Sequence, residues 1–187
     1  MNPRPSRGFT LIEVVVTLTI ILVVLGFVTL RHKPSPVATV RDTAAAMVAD
    51  LQEAKAQAVA TAGKAIFRFE RSGGPQGNGW WAAWRADADD TNTTPAPGSI
   101  LPLENDVIFG SGHAVYGPMG DPVNSLEPTP LSVVTCDAFG RCELGDKIVV
   151  TYYLQHRDRP DAVAAVTIGR SGTIRAWHFN PENGSWK

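Results

Sequence analysis

Cysteine is scarce in this chain, since only two of its 187 residues are Cys. Two are too few for a disulfide-stapled mini-domain or a Cys-rich zinc module. An excess of positive or negative charge is also missing. The chain has 17 Lys and Arg and 18 Asp and Glu, for a formal net charge of -1. That balance removes the simplest case for a dedicated nucleic-acid binder and leaves only a local basic patch to consider. With 44% hydrophobic and 19% charged residues, the composition predicts a globular part with a core.

Catalytic and nucleotide-binding motifs are missing as well. The chain contains no Gly-x-Ser-x-Gly, His-Glu-x-x-His, Walker loop or Gly-x-Gly-x-x-Gly sequence. Its four histidines are scattered without metal-ligand spacing. The sequence therefore predicts no enzyme, no cofactor and no metal site, with a composite site assembled only by the fold as a minor alternative. The acidic segment 87–92 offers oxygen ligands for calcium, but it lacks the Gly and distant Glu of an EF-hand, so a solvated loop is favoured.

One long apolar run interrupts this ordinary composition. Residues 9–30 contain a single charge, Glu13, and as a helix they would span roughly 33 Å, enough to cross a bilayer. A short basic segment with Arg4 and Arg7 precedes the run. An ordinary secretory signal peptide is the alternative, but the run is long for one and no Ala-x-Ala-like site follows it. We therefore predict a membrane helix, whose one carboxylate is costly without a positively charged partner.

The residues around Glu13 form a specific motif. Gly8-Phe9-Thr10-Leu11-Ile12-Glu13-Val14, behind a basic leader, resembles the class III signal of type IV pilins and of the pseudopilins of type II secretion. The resemblance implies that a prepilin peptidase removes residues 1–8, cutting between Gly8 and Phe9, and that the new N-terminus at Phe9 is methylated. It also implies that Glu13 neutralises the N-terminal amine of an adjacent subunit during filament assembly.

A second helix is predicted beyond a proline-containing hinge at 31–39. Over residues 40–63, apolar side chains recur at steps of three and four and predict an amphipathic helix that docks on a sheet. Its stripe consists of Val40, Ala44, Met47, Leu51, Ala54 and Ala58. Thr39 and Asp42 have capping-box spacing at the start, and Gly63 is a suitable stop.

The remaining residues, 64–187, predict a β-rich head. Short apolar or alternating segments are separated by Gly, Pro, Asn and Asp clusters, as in antiparallel β domains. The predicted strands are 65–70, 80–86, 100–103, 107–109, 131–135, 148–154, 162–168 and 173–179. We expect an α+β, pilin-like fold in which a long N-terminal helix, half membrane-bound and half amphipathic, packs on an antiparallel sheet.

Two segments of the predicted head carry a second, more specific resemblance. The sequences Ile66–Glu70 with Gly79–Asp87, and Val166–Arg175 near the C-terminus, resemble the GspH/FimT family of minor pseudopilins. The resemblance implies a subunit with β-sheets beside the C-terminal half of the long helix. It implies a single-pass protein of the bacterial inner membrane with its head in the periplasm. Because the periplasm is oxidising, we expect Cys136 and Cys142 to form a small structural disulfide, with a pair of buried thiols as the alternative.

Two functions follow from these resemblances. The first is a low-abundance subunit at or near the tip of a type II secretion pseudopilus, which helps to initiate filament assembly and has other pseudopilins as partners. The second is a type IV pilus minor pilin that binds DNA for natural transformation. Its candidate phosphate-binding residues are Arg170, Arg175 and Lys187, with Arg157, Arg159 and His178 as further candidates. We rank it second because this basic patch is thin beside an acidic head.

Overall fold

A computed structural model describes residues 10–31, 35–73, 77–96, 99–120 and 132–187. The chain divides into two compact units between Ser35 and Pro36. In the first unit, helix α1 runs from Leu11 to Arg31. The predicted leader 1–8 and Phe9, the predicted new N-terminus, lie outside the described residues, as do residues 32–34 of the predicted hinge.

The second unit begins with helix α2, Pro36–Ala60. It starts four residues before the apolar stripe, because proline suits the first helical position, where its missing N–H group has no partner to lose. Thr39 consequently lies inside the first turns rather than at the cap. The predicted stripe is confirmed, since all six of its residues are buried, together with Thr39.

The end of α2 differs from the prediction in one detail. The N–H of Gly63 donates to the carbonyl of Ala58 at 2.9 Å and that of Ala62 to Val59 at 3.4 Å, which is a Schellman motif. Ala62, with a φ of 51°, occupies the left-handed position that glycine usually takes. Gly63 is needed for a different reason, because a Cβ there would lie 2.5 Å from the carbonyl oxygen of Ala86.

Within the described residues, ten strands form two antiparallel sheets of five. The first has the order β3-β2-β1-β5-β6 and the second the order β10-β9-β8-β7-β4. The strands are β1 Lys64–Glu70, β2 Trp80–Ala86, β3 Leu101–Pro102, β4 Val107–Phe109, β5 Val133–Cys136, β6 Cys142–Glu143, β7 Val149–His156, β8 Arg159–Gly169, β9 Ile174–Asn180 and β10 Ser185–Trp186.

Helix α2 packs against strands of both sheets and forms one core with them. Its Met47 and Leu51 are fully buried in the same core as Phe67 of β1 and Val166 of β8. This is the α+β, pilin-like arrangement that the sequence predicts. All eight predicted strands are present, apart from small shifts at their ends and residue 131, which is not described. The two-residue strands β6 and β10 were not predicted, because only their pairing with β5 and β9 defines them.

The tryptophans of strand β2 lie on its two faces in alternation. Trp81 lies in the core, and its indole N–H donates to a carboxylate oxygen of Asp50 on α2 at 3.1 Å. Trp80 and Trp84 are half-buried on the other face, as the period of two predicts. On that face the guanidinium of Arg68 lies 5.7 Å from the centre of the Trp80 ring.

Candidate functional site

The first turn of α1 is organised around Thr10 and Glu13. Thr10 precedes the helix, and its carbonyl oxygen accepts a hydrogen bond from the N–H of Glu13 at 3.0 Å, with its hydroxyl oxygen at 3.4 Å. Thr10 thus acts as the N-cap, and Glu13 is the third helical residue, where a negative charge favours the helix dipole. Among the described residues, the Glu13 carboxylate has no hydrogen-bond or ion-pair partner.

The rest of α1 satisfies its own polar groups. The hydroxyls of Thr17 and Thr19 donate to the helix carbonyls of Glu13 and Val15 at 2.7 and 2.8 Å. Large apolar side chains cover the described surface of the helix, with Leu11 86% and Ile12 70% exposed. Apolar exposure on this scale marks a surface that contacts lipid or another protein.

Measured by length and hydropathy, none of the helices in the described ranges qualifies as a membrane span.

The predicted disulfide is confirmed in the head. Cys136 in β5 and Cys142 in β6 are directly paired across an antiparallel ladder and joined by a disulfide, and both are buried. The bridge closes a loop of five residues. Asp137 organises this loop, because its carboxylate accepts hydrogen bonds from the N–H groups of Phe139 and Arg141 at 2.9 and 2.8 Å and from the Arg141 side chain. These bonds, led by the one from the Arg141 backbone, hold the pKa of Asp137 below its ordinary value.

The disulfide loop also joins the two sheets. The N–H of Cys142 donates to the carbonyl of Arg170, just beyond β8, at 2.9 Å. The backbone of Gly172 lies against the carbonyl oxygen of Gly140, and Lys55 of α2 donates to the carbonyl of Gly172 at 2.5 Å. We call Gly140, Cys142, Arg170 and Gly172 the inter-sheet seam. No sequence pattern indicates this seam, because its contacts join backbone groups from distant turns.

The three main phosphate-binding candidates, Arg170, Arg175 and Lys187, do not share one face. Arg170 donates from its guanidinium to the carbonyls of Gly145 and Lys147, at 2.6 and 2.8 Å, and thereby fixes the turn before β7. Arg175 is exposed on β9. Lys187 pairs through its backbone with His178, so its side chain shares the face of His178, while Arg175 lies on the opposite face.

Two of the further basic candidates, Arg157 and Arg159, have structural partners. Arg159 forms an ion pair with Asp161 at 2.9 Å, and the guanidinium of Arg157 donates to the side-chain oxygen of the buried Asn78. The acidic segment 87–92 is exposed, and its Asp87 pairs with Arg85 at 2.5 Å. In the described ranges, no three His, Cys, Asp or Glu side chains are grouped as metal ligands would be.

Comparison with known protein families gives one match. The model of the prokaryotic N-terminal methylation motif matches residues 3–29. No curated protein and no solved structure matches the chain at a significant level. The matched segment contains the predicted cleavage position, which lies outside the described residues, and most of α1.

The motif and the fold support one class of protein. The methylation motif is a type IV prepilin-like signal, and a helix packed on antiparallel sheets is consistent with a pilin-like fold. Together they support a type IV pilin-like subunit that is membrane-anchored, processed by a prepilin peptidase and assembled with other pilins. Subunits of this class are structural and are generally not enzymes.

Proposed function

We propose that this chain is a minor pseudopilin, located at or near the tip of a type II secretion pseudopilus, where it helps to initiate filament assembly. It has no catalytic role. Prepilin peptidase cuts between Gly8 and Phe9, Phe9 is methylated, and the segment 9–30 anchors the chain in the inner membrane. The observation that carries the proposal is Glu13, a carboxylate at the start of an apolar helix inside a methylation motif, with no ion-pair partner among the described residues.

The charge of Glu13 supplies the assembly chemistry. Inside an apolar filament core, an unpaired carboxylate is costly, whereas a carboxylate paired with the N-terminal amine of a neighbouring subunit is tolerated. Loss of one partner from such a buried pair costs about 3–5 kcal/mol. The exposed apolar side chains of α1 provide the surface that lipid covers before assembly and neighbouring helices cover after it.

The compartment proposed for the head agrees with its disulfide. The Cys136–Cys142 bridge is of the kind that persists in oxidising compartments such as the periplasm. A head on the periplasmic side of a single-pass anchor is therefore the topology that the bridge supports.

The test is a Glu13→Ala variant of the full chain, expressed with its partner pseudopilins. We expect normal leader cleavage and a large loss of co-purification with those partners. Glu53→Ala is the matched control, because Glu53 is an exposed glutamate on α2, and we expect it to behave as wild type. Normal co-purification of the Glu13→Ala variant would contradict the proposed role.

The alternative, a type IV pilus minor pilin that binds DNA, is supported by the exposed side chains of Arg175 and Lys187. Arg170 is less suited to phosphate because two carbonyls engage it. A gel-shift titration at varied salt tests this function, since phosphate contacts weaken as salt rises. Absence of binding at low salt would exclude it.

A further inference from the structure

The face of the first sheet opposite the core carries apolar side chains that are nevertheless buried. Ile66 of β1 and Ala82 of β2 are 1% and 0% exposed, yet neither belongs to the core that α2 forms with the two sheets. Their neighbours along the strands, Phe67 and Trp81, do belong to that core, and successive side chains of a strand point to opposite faces. Ile66 and Ala82 therefore need another cover. We call the segment 88–96, which follows β2, the strap.

The strap lies along this outer face and is bound to it at two points. The ammonium group of Lys64 donates to the carbonyl of Ala88 at 3.3 Å, and the guanidinium of Arg68 donates to the carbonyl of Thr93 at 3.2 Å. Lys64 and Arg68 are two residues before and two residues after Ile66, so all three side chains share one face of β1. The strap consequently extends from one side of Ile66 to the other.

Few interactions hold the strap in place. Within the described residues, the bonds from Lys64 and Arg68 are the only hydrogen bonds that join the strap to the sheet. Other bonds are local, such as the one from the N–H of Asn92 to the carboxylate of Asp90 at 2.8 Å. The side chains of the strap are exposed, apart from the half-buried Pro95. A segment with so few buried contacts opens at a lower free energy than the strands beneath it.

The contacts of Arg68 leave the closed position imperfect. Its guanidinium bonds to Thr93 and also lies 5.7 Å from the centre of the Trp80 ring. Its Nε atom is buried and has no hydrogen-bond partner among the described residues. A buried donor without an acceptor destabilises the closed strap, because water can bond to this donor once the strap lifts.

We propose that the strap is a displaceable cover, which lifts from the outer face of the first sheet while both sheets stay folded. Lifting uncovers Ile66 and Ala82, next to the half-buried rings of Trp80 and Trp84 on the same face. The strap thereby switches this face between a shielded state and one with a continuous apolar surface. The proposal concerns the second unit alone and does not depend on the membrane anchor.

The test measures how fast a thiol beneath the strap reacts with a soluble thiol reagent, in the full chain in mild detergent. Ala82→Cys introduces the only free thiol, because Cys136 and Cys142 are joined in a disulfide. Ala65→Cys is the matched control, since Ala65 is also 0% exposed but lies in the core. Tryptophan fluorescence in urea gives the unfolding free energy of each variant, so that any difference in overall stability is known.

We expect the thiol of Ala82→Cys to react at least about tenfold faster than that of Ala65→Cys, after correction for overall stability. Its rate should also depend less on urea, because lifting the strap exposes less surface than unfolding the head. Equal corrected rates with equal urea dependence would overturn the proposal, since both thiols would then be reached only by unfolding.

A second substitution assigns the opening to the strap. Lys64→Met removes one of the two bonds to the strap and should raise the rate of Ala82→Cys about threefold, the usual effect of losing one exposed hydrogen bond. Lys187→Met is the matched control, because Lys187 is an exposed lysine remote from the first sheet, and it should change nothing. An unchanged rate for Ala82→Cys with Lys64→Met, or an equal rise for Ala65→Cys, would overturn the proposal.

Discussion

Substitution of Gly172 by alanine tests the inter-sheet seam at its tightest point. Gly172 has a φ of 77°, a conformation that L-residues other than glycine rarely adopt. A Cβ at this position would lie 1.7 Å from the carbonyl oxygen of Gly140, so backbone atoms of the disulfide loop would have to move. The variant therefore combines backbone strain with a collision between two turns.

The two contributions can be estimated separately. An alanine held in the left-handed region lowers the free energy of unfolding by about 1–2 kcal/mol. Overpacking typically adds about 1–3 kcal/mol, so Gly172→Ala should lower the free energy of unfolding by about 2–5 kcal/mol in total. Gly184 supplies the matched control, because it has a φ of 64° and a Cβ added there would meet no atom within 4 Å. Gly184→Ala should therefore lower the free energy of unfolding only by the strain of alanine in the left-handed region.

The assay is urea unfolding of the full chain in detergent, followed by tryptophan fluorescence. All five tryptophans lie in the second unit, so the signal reports the head alone. The difference between Gly172→Ala and Gly184→Ala measures the contact with Gly140. If the two variants are equally destabilised, Gly140 and Gly172 do not form the tight contact that defines the seam.

A double-mutant cycle extends the test to the disulfide. When Cys136 and Cys142 are both replaced by alanine, the loop that carries Gly140 is released from its covalent restraint. Gly172→Ala should then cost less than it does in the disulfide-bonded protein, because the loop can move away. An unchanged cost would show that the loop does not depend on the bridge for its position.

Three further predictions concern single features of the head. Replacing Cys136 and Cys142 by alanine should lower the unfolding free energy by about 2 kcal/mol from loop entropy, and reductant should lower the wild-type value equally without affecting the variant. Ala62→Gly should raise it by about 0.5–1 kcal/mol, because glycine suits the left-handed position at the end of α2, and an unchanged urea midpoint would contradict this. The lowered pKa of His178 means that the unfolded chain binds a proton more readily, so stability should fall as the pH drops below about 6.5. His178→Gln should flatten the dependence of the urea midpoint on pH between about 6.5 and 5, and an equally steep dependence in the variant would refute the assignment.

Periodicity accounts for most of the fold that could be predicted. The stripe from Val40 to Ala58 predicted α2, because steps of three and four place these residues on one helical face that the sheets can bury. Alternation likewise placed Trp81 on the opposite face of β2 from Trp80 and Trp84. Strands β6 and β10 could not be predicted in this way, since two residues carry no period and hydrogen bonds to a neighbouring strand define them.

The candidate site separates into local and non-local parts. The methylation motif and Glu13 are contiguous in sequence, so a short pattern suffices to find them. The phosphate-binding candidates remain a prediction, and their placement could not be read from the sequence because proximity along the chain says nothing about strand faces. Arg170 and Arg175 are five residues apart, yet one is fixed to backbone carbonyls and the other is exposed on β9.

The sequence by itself determined the pilin-like class, the helical stripe and the pairing of its only two cysteines. Each of these depends on residue types at short, fixed spacings. Such patterns can be recognised in the sequence without knowledge of the fold. The tertiary structure alone decided that Gly140 meets Gly172, and that Asp50 of α2 accepts a hydrogen bond from the indole N–H of Trp81. Those contacts join residues far apart in the chain, and the packing of α2 and the two sheets around one core brings them together.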